Sequence, residues 1–383
     1  RAKHVAASLF LVMRGLAEGV RVFATSLVLS AVLAASFPAL PHLWFWSILC
    51  VGLLTLIYTF EGGIAAVIWT DLIQFVIYLG GSLWAAYELL GMIPGGWTTF
   101  VARAQAANKL QVLSFSWDLT LPFTFFAGLV GGAFLTMASH GTDQLMVQRL
   151  LTCRDRRDSQ KALVASGLIV FAQFALFLVI GAMLFVHYQF VGAPRLTTTD
   201  EVFPVFIVRS LPHGVAGLVI AAIFAAAMST LSGSLNSLSS TTIIDFYEPV
   251  ASAGPRAAAP GRDARLLKLS RWCTALWGVI LIALAIVASG VRSVLTAGLT
   301  IASIVYGPML GAFVLAVATK RASQTGVIAG LAISLMSMLA IWYWTPLAWT
   351  WYVVVGTAIC TSVGYATSVL FPSGGGREQP ANR

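Results

Sequence analysis

Nine hydroxyl side chains and one amide crowd the fourteen residues from Ser229 to Thr242, within the stretch "AAAMSTLSGSLNSLSSTTIIDFY" at residues 225–247. On a helix, Ser229, Ser232, Asn236 and Ser240 fall on one face, and Thr230 lies beside Ser229. A hard monovalent cation takes neutral or anionic oxygens. Adjacent hydroxyls, joined by carbonyls freed from an unwound helix, supply such a cage. Hydroxyls in an apolar helix have a second use. They bond back to the carbonyl four residues earlier, or let helices pack closely.

Four other places put polar groups into apolar runs, where ionisable side chains are costly and by default point to function. In "VMRGLAEGVR", Arg14, Glu18 and Arg21 are spaced i, i+4, i+7 and share one helix face. They can neutralise one another as an ion-pair stripe. Alternatively, one guanidinium faces a cavity and recognises an anionic solute, because Arg suits carboxylates bidentately. In "YTFEGGIAAVIWTDLIQF", Gly62 and Gly63 break the chain and Asp71 enters the membrane shortly after. A lone acid there needs a partner, water or a cation. In "MASHGTDQLMVQR", His140, Gly141, Thr142, Asp143 and Gln144 interrupt an apolar run. Transporters hold substrate at such interruptions because freed backbone groups can ligate; a tight helix crossing at Gly141 is the other account. Gly307 and Pro308 in "IVYGPMLGAF" imply either a kink re-satisfied by neighbours or a gating hinge.

These groups require a membrane scaffold. Of the 383 residues, 58% are hydrophobic and 10% charged, and apolar runs of about 18 residues or more recur, as in transmembrane helices. Barrel strands alternate in short segments; these runs are continuous. The expected fold class is therefore an all-α polytopic membrane protein. About ten transmembrane helices are expected, over 5–35, 43–60, 64–92, 121–148, 162–188, 213–247, 269–290, 294–319, 324–344 and 348–371. With alternating helices, sixteen Lys and Arg fall on one side and five on the other. The richer side reads as cytoplasmic, with both ends inside. Trp342, Trp344, Trp349 and Trp351 flank the last outer turn as interfacial anchors.

The net charge of +9 belongs to basic cytoplasmic loops on this reading, not to nucleic-acid binding. Cys50, Cys153, Cys273 and Cys360 lie far apart, without metal or redox spacing. The five histidines are scattered, and no nucleophile has a base at motif spacing, so an enzyme is not expected. A transmembrane domain over 1–371 and a disordered cytoplasmic tail over 372–383 are expected. The chain opens at Arg1 and enters an apolar helix within a few residues, so it is expected to lack its natural N-terminus.

"GGIAAVIWTDLIQF", "GTDQLMVQRLL", "AAAMSTLSGSLNSLSSTTIIDFY" and "YGPMLGAF", in this order, resemble the sodium:solute symporter family. The resemblance runs from about residue 5 to 371, and the third stretch is its most specific part. It implies a leucine-transporter-like fold of two inverted five-helix repeats with solute near the midplane, here lacking its first helices. The helix broken near Gly141 would be the symmetry mate of the unwound first core helix.

The resemblance also implies site residues. The common sodium site would use the hydroxyls of Ser229 and Thr230 and the carbonyl of Ala226. Asp71 and Ser232 would serve a second sodium or the sodium exit path; Gly233 stands where that second site has a hydroxyl. Asp143 matches a position near the solute; its neighbours Thr142 and Gln144 and, independently of the resemblance, Arg14 and Arg21 are further solute-site candidates. "GTDQ" is similar to the monocarboxylate, vitamin and iodide branch. The implied function is sodium-coupled symport of a small organic solute, such as a monocarboxylate, across the plasma membrane. Sugar, amino-acid or sialic-acid symport is the alternative within the family. An uncoupled facilitator or an inactive truncated fragment is the alternative outside it. Sodium is the expected coupling ion, without other cofactors. Solute, sodium and lipid are the expected partners.

Overall fold

The computed structural model describes residues 2–37, 39–59, 64–193, 196, 198–252, 262–290, 293–319 and 321–371, leaving aside the side chains of 2, 58, 64–71, 144, 145, 148, 149, 250, 252 and 262–264. Gly62 and Gly63, and the tail 372–383, lie outside the described residues. Fourteen α-helices run through the described chain: α1 Ala2–Ser36, α2 Leu43–Thr59, α3 Ile64–Met92, α4 Gly96–Ala106, α5 Gly132–Gly141, α6 Gln144–Leu151, α7 Arg156–Val191, α8 Val202–Ser210, α9 His213–Thr241, α10 Glu248–Ser252, α11 Arg262–Ala288, α12 Val294–Ala318, α13 Gln324–Trp344 and α14 Tyr352–Leu370. Among the described residues, eight helices are long and apolar enough to cross a membrane, and the shorter apolar Leu43–Ile57 joins them.

The expected span over 121–148 is broken beside Gly141, where the resemblance implied a break: a π-helical turn, Ala127–Gly131, leads into the ten-residue α5, and the eight-residue α6 follows after Thr142 and Asp143. The segments between the expected spans at 93–120 and 189–212 carry the short helices α4 and α8. Helix α9 runs on through a second π-helical turn, Thr242–Tyr247.

Side-chain oxygens start several of these helices. Asp155 accepts from the Asp158 amide at 2.8 Å ahead of α7, and Ser323 accepts from the Gly326 amide at 3.0 Å ahead of α13. Each satisfies a donor that the first turn leaves unpaired.

Contacts between helix ends agree with simple alternation across a bilayer. Lys3 meets Asp245 at 2.7 Å, joining the start of α1 to the end of α9. Ser323 and Ser368 join the start of α13 to the end of α14. On the opposite side, the Val294 amide donates to Asp200 and the Ala348 amide to the Leu119 carbonyl.

Helix α1 is the spine. Phe10 and Met13 pack with Ala138 of α5, Leu310 of α12 and Val353 of α14. Further along, Val20 and Phe23 pack with Ile48 of α2, Leu231 of α9 and Ala285 of α11. A separate core joins α3, α4, α7, α8 and α9 through Leu89, Phe100, Ile180, Phe206 and Val219. Large apolar side chains such as Phe171 and Leu178 of α7 are exposed, as lipid-facing positions of a membrane helix must be.

Gly307 belongs to a close crossing. A Cβ there would meet Gly356 Cα at 3.0 Å and the Tyr352 carbonyl oxygen at 3.0 Å, and one on Gly311 would meet Cys360 Cβ at 2.5 Å. Helix α12 passes through Pro308 without ending. Without a hydrophobic drive between helices in lipid, such small-residue seams supply the packing. Gly307→Leu is expected to destabilise the protein by on the order of 3 kcal/mol, read as a lower unfolding temperature in detergent. Gly217→Ala, where a Cβ meets nothing within 4 Å, is expected to leave that temperature unchanged or raise it.

Candidate functional site

The broken span and the hydroxyl-rich helix meet α1 at mid-depth. Lys3 and Asp245 mark one edge. Arg14 lies eleven residues after Lys3 (14 − 3) and Ser234 eleven before Asp245 (245 − 234). At 1.5 Å per residue both sit ~16 Å from that edge, about half of a ~30 Å hydrocarbon core. Two antiparallel helices thus bring polar side chains to one level.

At that level lies a buried network of four charges and two hydroxyls. Glu18 is fully buried, Asp143 is 1% exposed and Arg14 9%. Glu18 Oε1 accepts from Arg21 Nη1 at 2.7 Å and forms an ion pair with Arg14, whose Nε lies 3.1 Å away. Arg14 Nη1 donates to Asp143 Oδ2 at 3.1 Å. Tyr306 of α12 donates to the same oxygen at 2.7 Å. Ser234 accepts from Arg14 Nη2 at 2.7 Å and Nε at 3.2 Å. Its own hydroxyl proton has two acceptors in reach, Glu18 Oε1 at 2.8 Å and the Thr230 carbonyl at 3.0 Å. Two guanidinium groups against two carboxylates make the set neutral. Neutrality and hydrogen bonds are what allow charges to stay buried in a low-dielectric interior.

The break between α5 and α6 positions Asp143. Thr142 ends α5 by donating from both its amide and its hydroxyl to the Ala138 carbonyl, at 2.9 and 2.7 Å. The Asp143 carbonyl then accepts from the Val147 amide at 3.0 Å, the first bond of α6. The carboxylate is left to reach α1 and α12. A cavity of about 510 Å³ opens beside the break, touching His140, Gly141 and Arg156.

The sequence-predicted residues distribute unevenly over this arrangement. Thr230 Oγ1 donates to the Ala226 carbonyl at 3.0 Å, so two oxygens of the expected sodium site are neighbours, each with a lone pair to spare. Ser229 and Ser232 are both buried on the same helix. Asn236, placed on their face by helical spacing, is exposed. The two arginines part company: Arg14 is held by three neighbours, whereas the Arg21 side chain is 44% exposed and bonded to Glu18. Of the two, Arg21 alone keeps a half-exposed guanidinium. Asp71 lies in α3 and Gln144 opens α6, and the side chains of both lie outside the described residues. Sequence reasoning missed Ser234 and Tyr306. The signals for them were present: Ser234 follows Thr230 by one helical turn, and Tyr306 precedes the Gly307–Pro308 pair.

The sodium:solute symporter family profile matches residues 6–334. The chain belongs to the sodium:solute symporter family. It is 32% identical over 330 residues to the sodium/sialic acid symporter SiaT of Proteus mirabilis, covering 85% of this chain and 65% of SiaT. It is 28% identical over 376 residues to the sodium-coupled monocarboxylate transporter 2 of Bos taurus, covering 94% and 57%. A solved structure, the substrate-bound outward-open state of a Na+-coupled sialic acid symporter, superposes with a TM-score of 0.79 at 28% identity, covering 96% of this chain and 74% of that one. The chain thus spans less than two thirds of the length of these two relatives. Like other members of the symporter family it is a multi-pass membrane protein of helices, and the family couples solute movement to sodium.

Proposed function

We propose that this protein is part or all of a sodium-coupled symporter for a small anionic solute. One observation carries the reading: a cation-suited pair of oxygens, Thr230 Oγ1 and Ala226 O, lies one helical turn from a buried charge network that offers one half-exposed guanidinium, Arg21. Sodium binds at Ser229, Thr230 and the Ala226 carbonyl. Solute binds between Arg21 and the break at Thr142, Asp143 and Gln144, and Asp143 positions the break through Arg14 and Tyr306. Asp71 and Ser232 serve a second sodium or the exit path. Sialic acid and monocarboxylates, named for the relatives, are both carboxylates, which suits a guanidinium. The protein works as a transporter and not an enzyme, with no cofactor beyond the ion. It sits in the plasma or inner membrane as one transmembrane domain over 1–371, with a cytoplasmic tail.

The mechanism is alternating access. Sodium bound at α9 favours the state that binds solute better, and the preference is reciprocal. Both then leave on the inner side, toward the cavity beside Gly141. The test is a double variant, Ser229→Ala with Thr230→Ala, in the full-length protein. Removing two of the ion's oxygens is expected to raise the sodium concentration for half-maximal uptake at least tenfold, with uptake recovering at high sodium. An unchanged sodium dependence would remove sodium from this site.

A further inference from the structure

We propose that Ser234 is the positioning residue through which sodium and solute binding influence each other. The inference rests on the transport reading above and assigns to one side chain the coupling that reading requires. The hydroxyl touches both halves of the site. It lies 3.0 Å from the Thr230 carbonyl, one turn beyond the sodium hydroxyl, and 2.8 Å from Glu18 Oε1, the oxygen that holds Arg21. Two donors of Arg14 fix it from the other side. A serine hydroxyl has one proton and two acceptor lone pairs. Both lone pairs are taken by Arg14, and the proton has to choose between Thr230 and Glu18. Ser234 is thus a two-position element beside a carboxylate whose other oxygen, Glu18 Oε2, is buried without a hydrogen-bond partner.

Each position suits one state of the site. With the proton on the Thr230 carbonyl, Ser234 bonds back into its own helix, and Glu18 Oε1 serves the two arginines. A cation at Thr230 requires the Thr230 hydroxyl to turn a lone pair toward the ion, and its positive charge makes the adjacent carbonyl a poorer acceptor. The Ser234 proton then favours Glu18. With this further donor on Oε1, the carboxylate holds Arg21 less tightly, and the half-exposed guanidinium is released to a solute carboxylate. Run backwards, a solute that draws Arg21 away leaves Glu18 short of a donor. It then attracts the Ser234 proton and frees the Thr230 segment to meet the ion. The sign is positive in both directions, as linkage demands. Ser234 contacts neither ion nor solute.

The experiment measures a coupling factor, the ratio of solute affinity with saturating sodium to that with potassium. It uses the full-length protein in detergent, with whichever of sialic acid, lactate and acetate binds most tightly. The wild type is expected to show a factor of about 5 to 150, the usual range for coupled sites. Ser234→Ala is expected to cut that factor at least fivefold while solute affinity in potassium, and sodium affinity without solute, stay within about twofold. A merely structural role would instead shift both separate affinities. Ser234→Thr keeps the hydroxyl and is expected to restore the factor. If Ser234→Ala fails to unfold cooperatively, Ser234→Cys replaces it, because a thiol of similar size is a weak donor; a factor reduced at least threefold supports the inference. A wild-type factor well above one that Ser234→Ala or Ser234→Cys leaves unchanged overturns it. A wild-type factor of one overturns the transport reading, and this inference with it.

Discussion

Glu18→Ala is expected to be the most damaging single substitution in the described chain. Glu18 is fully buried, and its Oε1 joins Arg14, Arg21 and Ser234. Removing it leaves Arg14, 9% exposed, with one carboxylate instead of two, and gives the set a net positive charge in a low-dielectric interior. Breaking one side of a buried ion pair costs about 3–5 kcal/mol, mostly because the remaining charge is stranded. That is a large share of the ~5–15 kcal/mol stability of a typical protein. The half-exposed Arg21 can re-solvate and adds little to the loss. Thermal unfolding in detergent reads the cost. A double-mutant cycle with Arg14→Ala separates stranded charge from lost packing: in the Arg14→Ala background Glu18→Ala should cost at least 1 kcal/mol less, as coupled neighbours do. Costs that simply add would mean the two residues do not act as a pair.

How much of this was legible in the sequence differs by element. The long spans were, because about 20 apolar residues in a row have few other uses. The alternation of the spans was too: the start of α1 and the end of α9, which it places on the same side, are joined by Lys3 and Asp245. The break at residues 142–143 was visible as polarity, but its consequence was not. A run of apolar residues around "SHGTDQ" does not say that the helix restarts as an eight-residue segment. The outcome depends on Asp143 finding Arg14 and Tyr306, which lie 129 and 163 residues away. The stripe Arg14, Glu18, Arg21 was read as either self-neutralising or solute-facing; the structure divides it, pairing Arg14 inward and leaving Arg21 half out. Hydroxyl function was the least legible. Thr230 and Ser234 look alike in sequence, and only the position of α1 beside α9 makes one of them a neighbour of a buried carboxylate.

The central claim is that an inward sodium gradient drives solute uptake. Its energetic scale is set by charge. One sodium moving through about 100 mV supplies roughly 2.3 kcal/mol, and a tenfold sodium gradient adds about 1.4 kcal/mol. With a neutral solute the sum of about 3.7 kcal/mol supports an accumulation of roughly 500-fold by the same relation. With an anion and one sodium the voltage contribution cancels and about tenfold remains. On the proposed reading Gly233 replaces the hydroxyl a full second sodium site would need, so one sodium and the smaller figure are expected. The direct measurement reconstitutes the full-length protein in liposomes and follows labelled sialic acid, lactate and a neutral sugar under an inward sodium gradient. Parallel vesicles have potassium in place of sodium. The account predicts accumulation of a carboxylate by about tenfold under the sodium gradient, insensitive to membrane voltage, and collapse of that accumulation in potassium. Equal uptake in sodium and potassium would contradict it.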